Sequence, residues 1–268
     1  MINDFVFKEK YNVYDLAEIL RCLRSEGGCP WDIEQTHESI RKNLIEETYE
    51  AVEAINKKDP DMLREELGDV LMQVMFHTQI ENEKGNFDID DVADETCKKL
   101  IVRHPHVFGE VKADTVDDVL TNWDAIKRQT KGQKTTSDAI SSVPRELPAL
   151  MRAQKIQHKA AKAGFDWDDI SGAADKLNEE LDELRAAIAS GNRAEIEEEM
   201  GDLLFSAVNI ARFADTDAEE ALTGATDKFA DRFRVVERLA NERGIDMSSA
   251  GIEALDALWD EAKAAEKQ

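Results

Sequence analysis

The sequence predicts an all-α protein built as two tandem copies of a small helical bundle. Three observations carry this expectation: an acidic signature that occurs twice, tryptophans that repeat at a fixed interval, and apolar residues at helical spacing with no sustained strand alternation. Glu46-Glu47-Thr48-Tyr49-Glu50, followed by Glu66-Leu67-Gly68-Asp69, returns as Glu179-Glu180-Leu181-Asp182-Glu183, followed by Glu199-Met200-Gly201-Asp202. The offset is 133 at each matched position. Trp31 and Trp167 are 136 apart, as are Trp123 and Trp259, and an Asp follows each (Asp32, Asp168, Asp124, Asp260). Lys127 and Lys263 follow the second pair at equal distance, and Lys99 to Arg103 resembles Lys228 to Arg232 at an offset of 129. The small changes of offset place short insertions or deletions in loops and preserve the order of elements.

In the first copy, Ile40, Leu44, Ile45, Val52 and Ile55 predict one helix. Asp59-Pro60 then reads as an N-cap with proline at the first helical position. Leu63, Leu67, Val70, Leu71 and Val74 predict the next helix. In the second copy Leu177, Leu181, Leu184 and Ile188 are followed by a break at Gly191. Asn192 and Glu195 read as a capping pair, and Ile196, Met200, Leu203, Leu204 and Val208 continue. The stretch from Arg128 to Pro148 is polar and punctuated by Gly and Pro, so residues 128–148 are expected as a linker between domains 1–127 and 149–268.

Composition bounds the function. With 268 residues and 42% hydrophobic content the chain can bury one or two ordinary cores. A formal net charge of −24 argues against a nucleic-acid duplex or an anionic membrane as partner, though not against a nucleotide that brings its own magnesium. Cys22, Cys29 and Cys97 form no CxxC pair and read as reduced thiols. No segment resembles a signal peptide or a membrane span, so a soluble cytoplasmic protein is expected.

The carboxylate spacing carries the chemistry. Glu47 and Glu50 are three apart, as are Glu66 and Asp69, so each pair shares a helix face. A short connection makes the two helices antiparallel neighbours, in which facing residue numbers add to a constant. Glu47 with Asp69 and Glu50 with Glu66 each add to 116; Glu180 with Asp202 and Glu183 with Glu199 each add to 382. Each copy therefore presents two facing rungs of carboxylates, about 4.5 Å apart along the axis. Such groups repel unless a cation joins them, and all-oxygen ligation without His or Cys points to Mg²⁺, with Mn²⁺ as substitute. Gly68 and Gly201, directly before the aspartates, suggest close approach by another helix or a ligand.

At these residues the sequence resembles the MazG family of the all-α NTP pyrophosphatases, whose signature is EExxE, a spacer, then ExxD. Gly28-Cys29-Pro30-Trp31-Asp32 with Gln35-Thr36-His37, Arg103-His104-Pro105-His106-Val107-Phe108-Gly109, and Lys162-Ala163-Gly164-Phe165-Asp166-Trp167 add to the resemblance. It implies hydrolysis of NTPs and dNTPs between the α and β phosphates to NMP and pyrophosphate, in clearing unwanted nucleotides. It also implies a Mg²⁺ requirement and a homodimer of tandem four-helix-type domains, with the main activity in the C-terminal half. On that reading Glu180, Glu183, Glu199 and Asp202 ligate Mg²⁺ and Glu179 orients or deprotonates the attacking water. Glu180 and Glu183 thereby count with Glu179 as catalytic, and Glu46, Glu47, Glu50, Glu66 and Asp69 are the first-copy counterparts.

Lys228, Arg232 and Lys263 are candidates to bind the polyphosphate, with Lys99, Arg103 and Lys127 corresponding to them; each alone also reads as an ordinary surface charge. Trp259 and Trp123 read as core residues or as stacking platforms for a base. Asn209 stands where the first copy has Phe76, a polar replacement suited to base or sugar recognition. His104 and His106 read as phosphate contacts or as structural residues beside Pro105. A ferritin-like di-iron site would need two Glu-x-x-His motifs, and only Glu34–His37 is present. An acidic helical interaction protein with a non-catalytic, regulatory first half is the remaining alternative.

Overall fold

The computed structural model describes residues 5–112, 115–116, 118–119, 122–123, 126, 130, 132 and 134–265; Asp124 and Lys127 lie outside them. Among the described residues all regular structure is helical. The chain divides into two compact units, Met1–Lys127 and Arg128–Gln268. No helix is long and apolar enough to cross a membrane, among the described residues.

The first unit is organised on a hairpin of α3 (His37–Lys57) and α4 (Pro60–Glu83). Lys58 adopts the left-handed conformation (φ 55°) that ends α3, Asp59 accepts from the amides of Asp61 and Met62, and Pro60 opens α4. The cap expected from Asp59-Pro60 is thus the turn itself. Helix α1 (Val13–Arg24) packs on α4, and α2 (Pro30–Glu34) follows it. Buried Arg24 ties these pieces together: its guanidinium pairs with Glu83 at 2.8 Å and donates to the carbonyls of Asp32 and Gln35. Leu20, Ile40, Met75, Phe76 and Ile80 form the core, at the open end of the hairpin. Helices α5 (Ile89–Arg103) and α6 (Pro105–Phe108) follow in the same unit.

In the second unit α7 (Thr136–Ser141) precedes α8 (Ala149–Ala161) and packs on it. Ala139 and Val143 are buried there, so the second half of the stretch expected as linker folds with this unit. The hairpin of α9 (Ile170–Ser190) and α10 (Arg193–Phe213) turns at Gly191, whose φ of 72° a side chain would strain. Asn192 caps α10 through the amide of Ala194, whereas Glu195 accepts from the Ser190 hydroxyl at 3.3 Å and closes no capping box. Helix α11 (Ala218–Glu242) pairs with α12 (Ile252–Ala265) around Val236, Leu239, Ala240, Leu258 and Ala262.

Burial repeats at the same offset as the sequence. Ile40, Ala51, Ala54, Gln73, Met75 and Phe76 are buried, and so are Ala173, Leu184, Ala187, Ser206, Val208 and Asn209, each 133 further on. The expected core positions nearer the turn behave differently. Ile45, Val52, Ile55, Leu67, Leu71 and Val74 are exposed among the described residues. Ile188, Met200 and Leu204 are exposed in the second unit.

Candidate metal centre

The two hairpins bring the predicted carboxylates together. In the first unit, ligand oxygens of Glu47, Glu66 and Asp69 converge to within 4.8 Å of one another; in the second, those of Glu180, Glu199 and Asp202 do the same. The remaining member of each set, Glu50 or Glu183, lies against its neighbours. Glu50 bears on both Glu47 and Glu66, and Glu180 on Glu183. Desolvation first, then repulsion by the facing carboxylates, raises the pKa of Glu47, Glu66, Glu183 and Glu199 above the ordinary carboxylate value. Oxygen donors alone, clustered this tightly, are a donor set suited to Mg²⁺ or Mn²⁺ and poorly suited to zinc or copper.

The clusters differ in two respects. Glu180 is buried, with 5% of its surface exposed, whereas Glu47 is half-buried. The second cluster also has a cation that sequence reasoning missed: Lys176 Nζ lies 2.7 Å from both Glu179 and Glu180. Its spacing of three and four residues from those glutamates was the available signal. Asn43 holds the equivalent position in the first unit. No lysine or arginine pairs with Glu46, Glu47, Glu50, Glu66 or Asp69 among the described residues.

Other expectations fare unequally. Arg232 lies over Trp259 at 5.7 Å and Phe229 packs against the same ring at 5.1 Å. Lys228 is one turn before Arg232 and Lys263 one turn after Trp259, so the structure gathers these four on α11 and α12. Arg103 over Trp123 at 5.2 Å repeats the arrangement in the first unit. Among the described residues no ion pair joins Lys228, Lys263 or Arg103 to the clustered carboxylates. Trp259 also packs against the α11–α12 core, which accounts for its burial without a ligand.

Asn209 has a structural partner. It is 6% exposed and accepts from Arg212 Nε at 2.8 Å, while Arg212 pairs with Asp166. Phe76 meets the same need with Arg24, whose guanidinium lies 5.2 Å from its ring and pairs with Glu83. Asn209 and Phe76 therefore differ in how each packs an arginine. The glycines need a correction. A Cβ on Gly68 or Gly201 would meet nothing within 4 Å among the described residues, so none of the described helices approaches either that closely and the ligand alternative stands. His104 has a structural role, its Nδ1 bonding the Leu100 carbonyl at 2.6 Å. His37, the lone Glu-x-x-His histidine, contacts His77 and Glu81 rather than any metal rung.

Fold and site together define a duplicated all-helical protein with one carboxylate cluster, suited to a hard cation, in each hairpin. The MazG nucleotide pyrophosphohydrolase domain family matches residues 35–108 and 171–236, once per unit. The chain is 46% identical over 251 residues to the nucleoside triphosphate pyrophosphohydrolase of Escherichia coli K12, covering 92% of this chain and 95% of that protein. It is 48% identical over 249 residues to the nucleoside triphosphate pyrophosphohydrolase/pyrophosphatase MazG of Thermotoga maritima, covering 93% and 94%. It is also 46% identical to the uncharacterized protein YabN of Bacillus subtilis, spanning 51% of that longer chain. The chain belongs to the MazG family.

Proposed function

We propose that the protein hydrolyses nucleoside and deoxynucleoside triphosphates between the α and β phosphates, releasing NMP and pyrophosphate, and that it does so with Mg²⁺ in nucleotide-pool housekeeping in the cytoplasm. The observation that carries this reading is the convergence of Glu180, Glu199 and Asp202 within 4.8 Å on a hairpin that the family match covers. Glu180, Glu183, Glu199 and Asp202 would hold the ion, which when bound offsets phosphate charge and lowers the pKa of a coordinated water. Glu179, one residue from Glu180 and held by Lys176, is the group placed to orient or deprotonate the attacking water. In the attack a water oxygen bonds to the α-phosphorus as the bond to the α–β bridging oxygen breaks, and pyrophosphate departs. Lys228, Arg232 and Lys263 supply positive charge for the triphosphate, with Trp259 beside them.

The reading includes a homodimer. The exposed apolar positions Ile45, Val52, Leu67 and Leu71 of the first unit, and Ile188, Met200 and Leu204 of the second, are surfaces that a second copy would cover. Light scattering after size exclusion should give twice the chain mass of 30.2 kDa. For the activity, purified protein with MgCl₂ and a panel of NTPs should release pyrophosphate and NMP. Orthophosphate and NDP as products would overturn the assignment.

A further inference from the structure

Lys176 is the one cation in contact with either carboxylate cluster among the described residues, and only the C-terminal copy has it. Two features of its setting make it more than a surface pair. Glu180 is 5% exposed, and a carboxylate withdrawn from water needs a counter-charge or a proton. Glu179 is exposed, and Lys176 is the one partner its carboxylate has among the described residues. Because Lys176 precedes both glutamates by one turn of the same helix, the contact is built by α9 alone and exists before any ligand arrives.

We propose that Lys176 is a positioning residue of the C-terminal site, holding Glu179 in place while occupying the Glu180 oxygen that a divalent cation must take. This rests on reading the cluster as a metal site for triphosphate hydrolysis. The two contacts then have opposite consequences. At Glu180 the ammonium competes with the incoming ion and weakens its binding. At Glu179 it fixes a carboxylate that would otherwise turn freely in solvent, so turnover depends on it. Asn43 at the equivalent position can do neither for Glu46 and Glu47. An ordinary helix-surface ion pair would move neither quantity, since such pairs contribute little once screened.

The test uses the full chain with Glu66→Gln and Asp69→Asn to silence the first cluster, carrying Lys176→Met or Lys176→Arg. Mn²⁺ binding without nucleotide is read from the electron paramagnetic resonance signal of the free ion. In Lys176→Met the dissociation constant for Mn²⁺ should fall about three- to tenfold, the effect of removing one nearby competing charge. The kcat for pyrophosphate release should fall at least about tenfold, as expected when a general base loses its orientation, with KM for the triphosphate nearly unchanged. Lys176→Arg, which keeps the charge and the reach, should restore both quantities most of the way. Unchanged or weaker Mn²⁺ binding in Lys176→Met overturns the proposal, as does an unchanged kcat. Failure of the parent reading is a separate outcome, a protein with Lys176 intact that binds Mn²⁺ but releases no pyrophosphate; tighter Mn²⁺ binding in Lys176→Met would then still establish the competition at Glu180.

Discussion

In the C-terminal hairpin a lysine sits 2.7 Å from two glutamates, one of them buried; in the N-terminal hairpin the same turn of helix carries Asn43, and the carboxylates face only one another. The backbone that presents the two clusters is the same in outline, and six buried positions recur at the same offset. What differs is how the charge is balanced. Among the described residues, mutual repulsion raises the pKa of Glu47 and Glu66 in the N-terminal cluster, whereas the C-terminal cluster also has the Lys176 ammonium against Glu179 and Glu180. Duplication has thus kept the ligand geometry in both halves, while the residues one turn away have diverged. A count of acidic residues would call the halves equivalent; the neighbours of those residues do not.

The largest test of that contrast is catalytic. Glu183→Gln should lower kcat/KM for pyrophosphate release by about 100-fold or more if Glu183 holds the ion as proposed, since losing such a carboxylate removes several kcal/mol of transition-state stabilisation. Glu50→Gln should cost less than about threefold if the C-terminal site carries the activity. The reverse pattern would move the working site to the N-terminal half, and equal losses would make the halves interdependent.

A smaller effect separates the clusters by stability. Carboxyl groups with raised pKa bind protons in the folded state that the unfolded chain has released, so the apo protein loses stability as pH rises through the ordinary carboxylate value near 4.5 and above. A divalent cation reverses this at neutral pH. At 100 times its dissociation constant, Mn²⁺ should stabilise the fold by about 2.7 kcal/mol, and by much less near pH 4, where protons compete for the same oxygens. Asn43→Lys should reduce the Mn²⁺-induced rise in Tm of the N-terminal unit by supplying the missing charge. No change on that substitution would show that position 43 does not face the cluster as Lys176 does.

Gly68 and Gly201 provide a third comparison. Each sits inside a helix with open space where its Cβ would be, so alanine at either position should stabilise the isolated fold by about 1 kcal/mol in a thermal melt. Gly201 also lines an open groove with Leu204, Phe205 and Val208, on a face of α10 turned away from the rungs. If a second copy packs there, Gly201→Ala should raise the concentration at which dimers dissociate. A stabilised protein with unchanged assembly would leave the glycines unexplained.

Much of this was legible in the sequence, for reasons particular to the elements. Facing residue numbers locate Glu47 opposite Asp69 because an antiparallel hairpin with a two-residue turn has a single register, and Lys58, Asp59 and Gly191 supply that turn. Helical periodicity alone did not say which apolar stripe is covered: Ile45 and Ile40 both keep the spacing, yet only Ile40 finds α1 and α4 over it. The packing of Asn209 was hidden for a different reason. Its role depends on Arg212 reaching Asp166, 46 residues away in sequence, and no local pattern encodes that contact. Lys176 was readable from its spacing, but only the burial of Glu180 gives the contact its weight.

The smallest expected effect tests a part of the N-terminal unit without counterpart in its partner. His37 Nδ1 lies 2.7 Å from His77 Nδ1, with the rings stacked 5.0 Å apart, and His37 Nε2 lies 2.6 Å from Glu81. The equivalent positions are Ile170, Ile210 and Ala214. Burial, with His37 beside it, lowers the pKa of His77 below its ordinary 6.5. The unfolded chain therefore takes up a proton that the folded one refuses, and stability is lost as pH falls through 6.5. Lys84, then Asn86 and His37, hold Glu81 down to about 2, so its contribution is present above 4.5 and lost between there and about 2. The two windows do not overlap. His77→Gln should remove only the upper one, an effect below about 0.5 kcal/mol given how open the site is. Hydrogen exchange resolved to peptides of α3 and α4 should lose its dependence on pH between 7 and 5.5, after correction for the intrinsic rate, while peptides of α9 and α10 keep theirs. A change in α9 and α10 instead would place the sensitive group in the C-terminal unit, where His158, its pKa lowered by burial and by Arg212, is the alternative source.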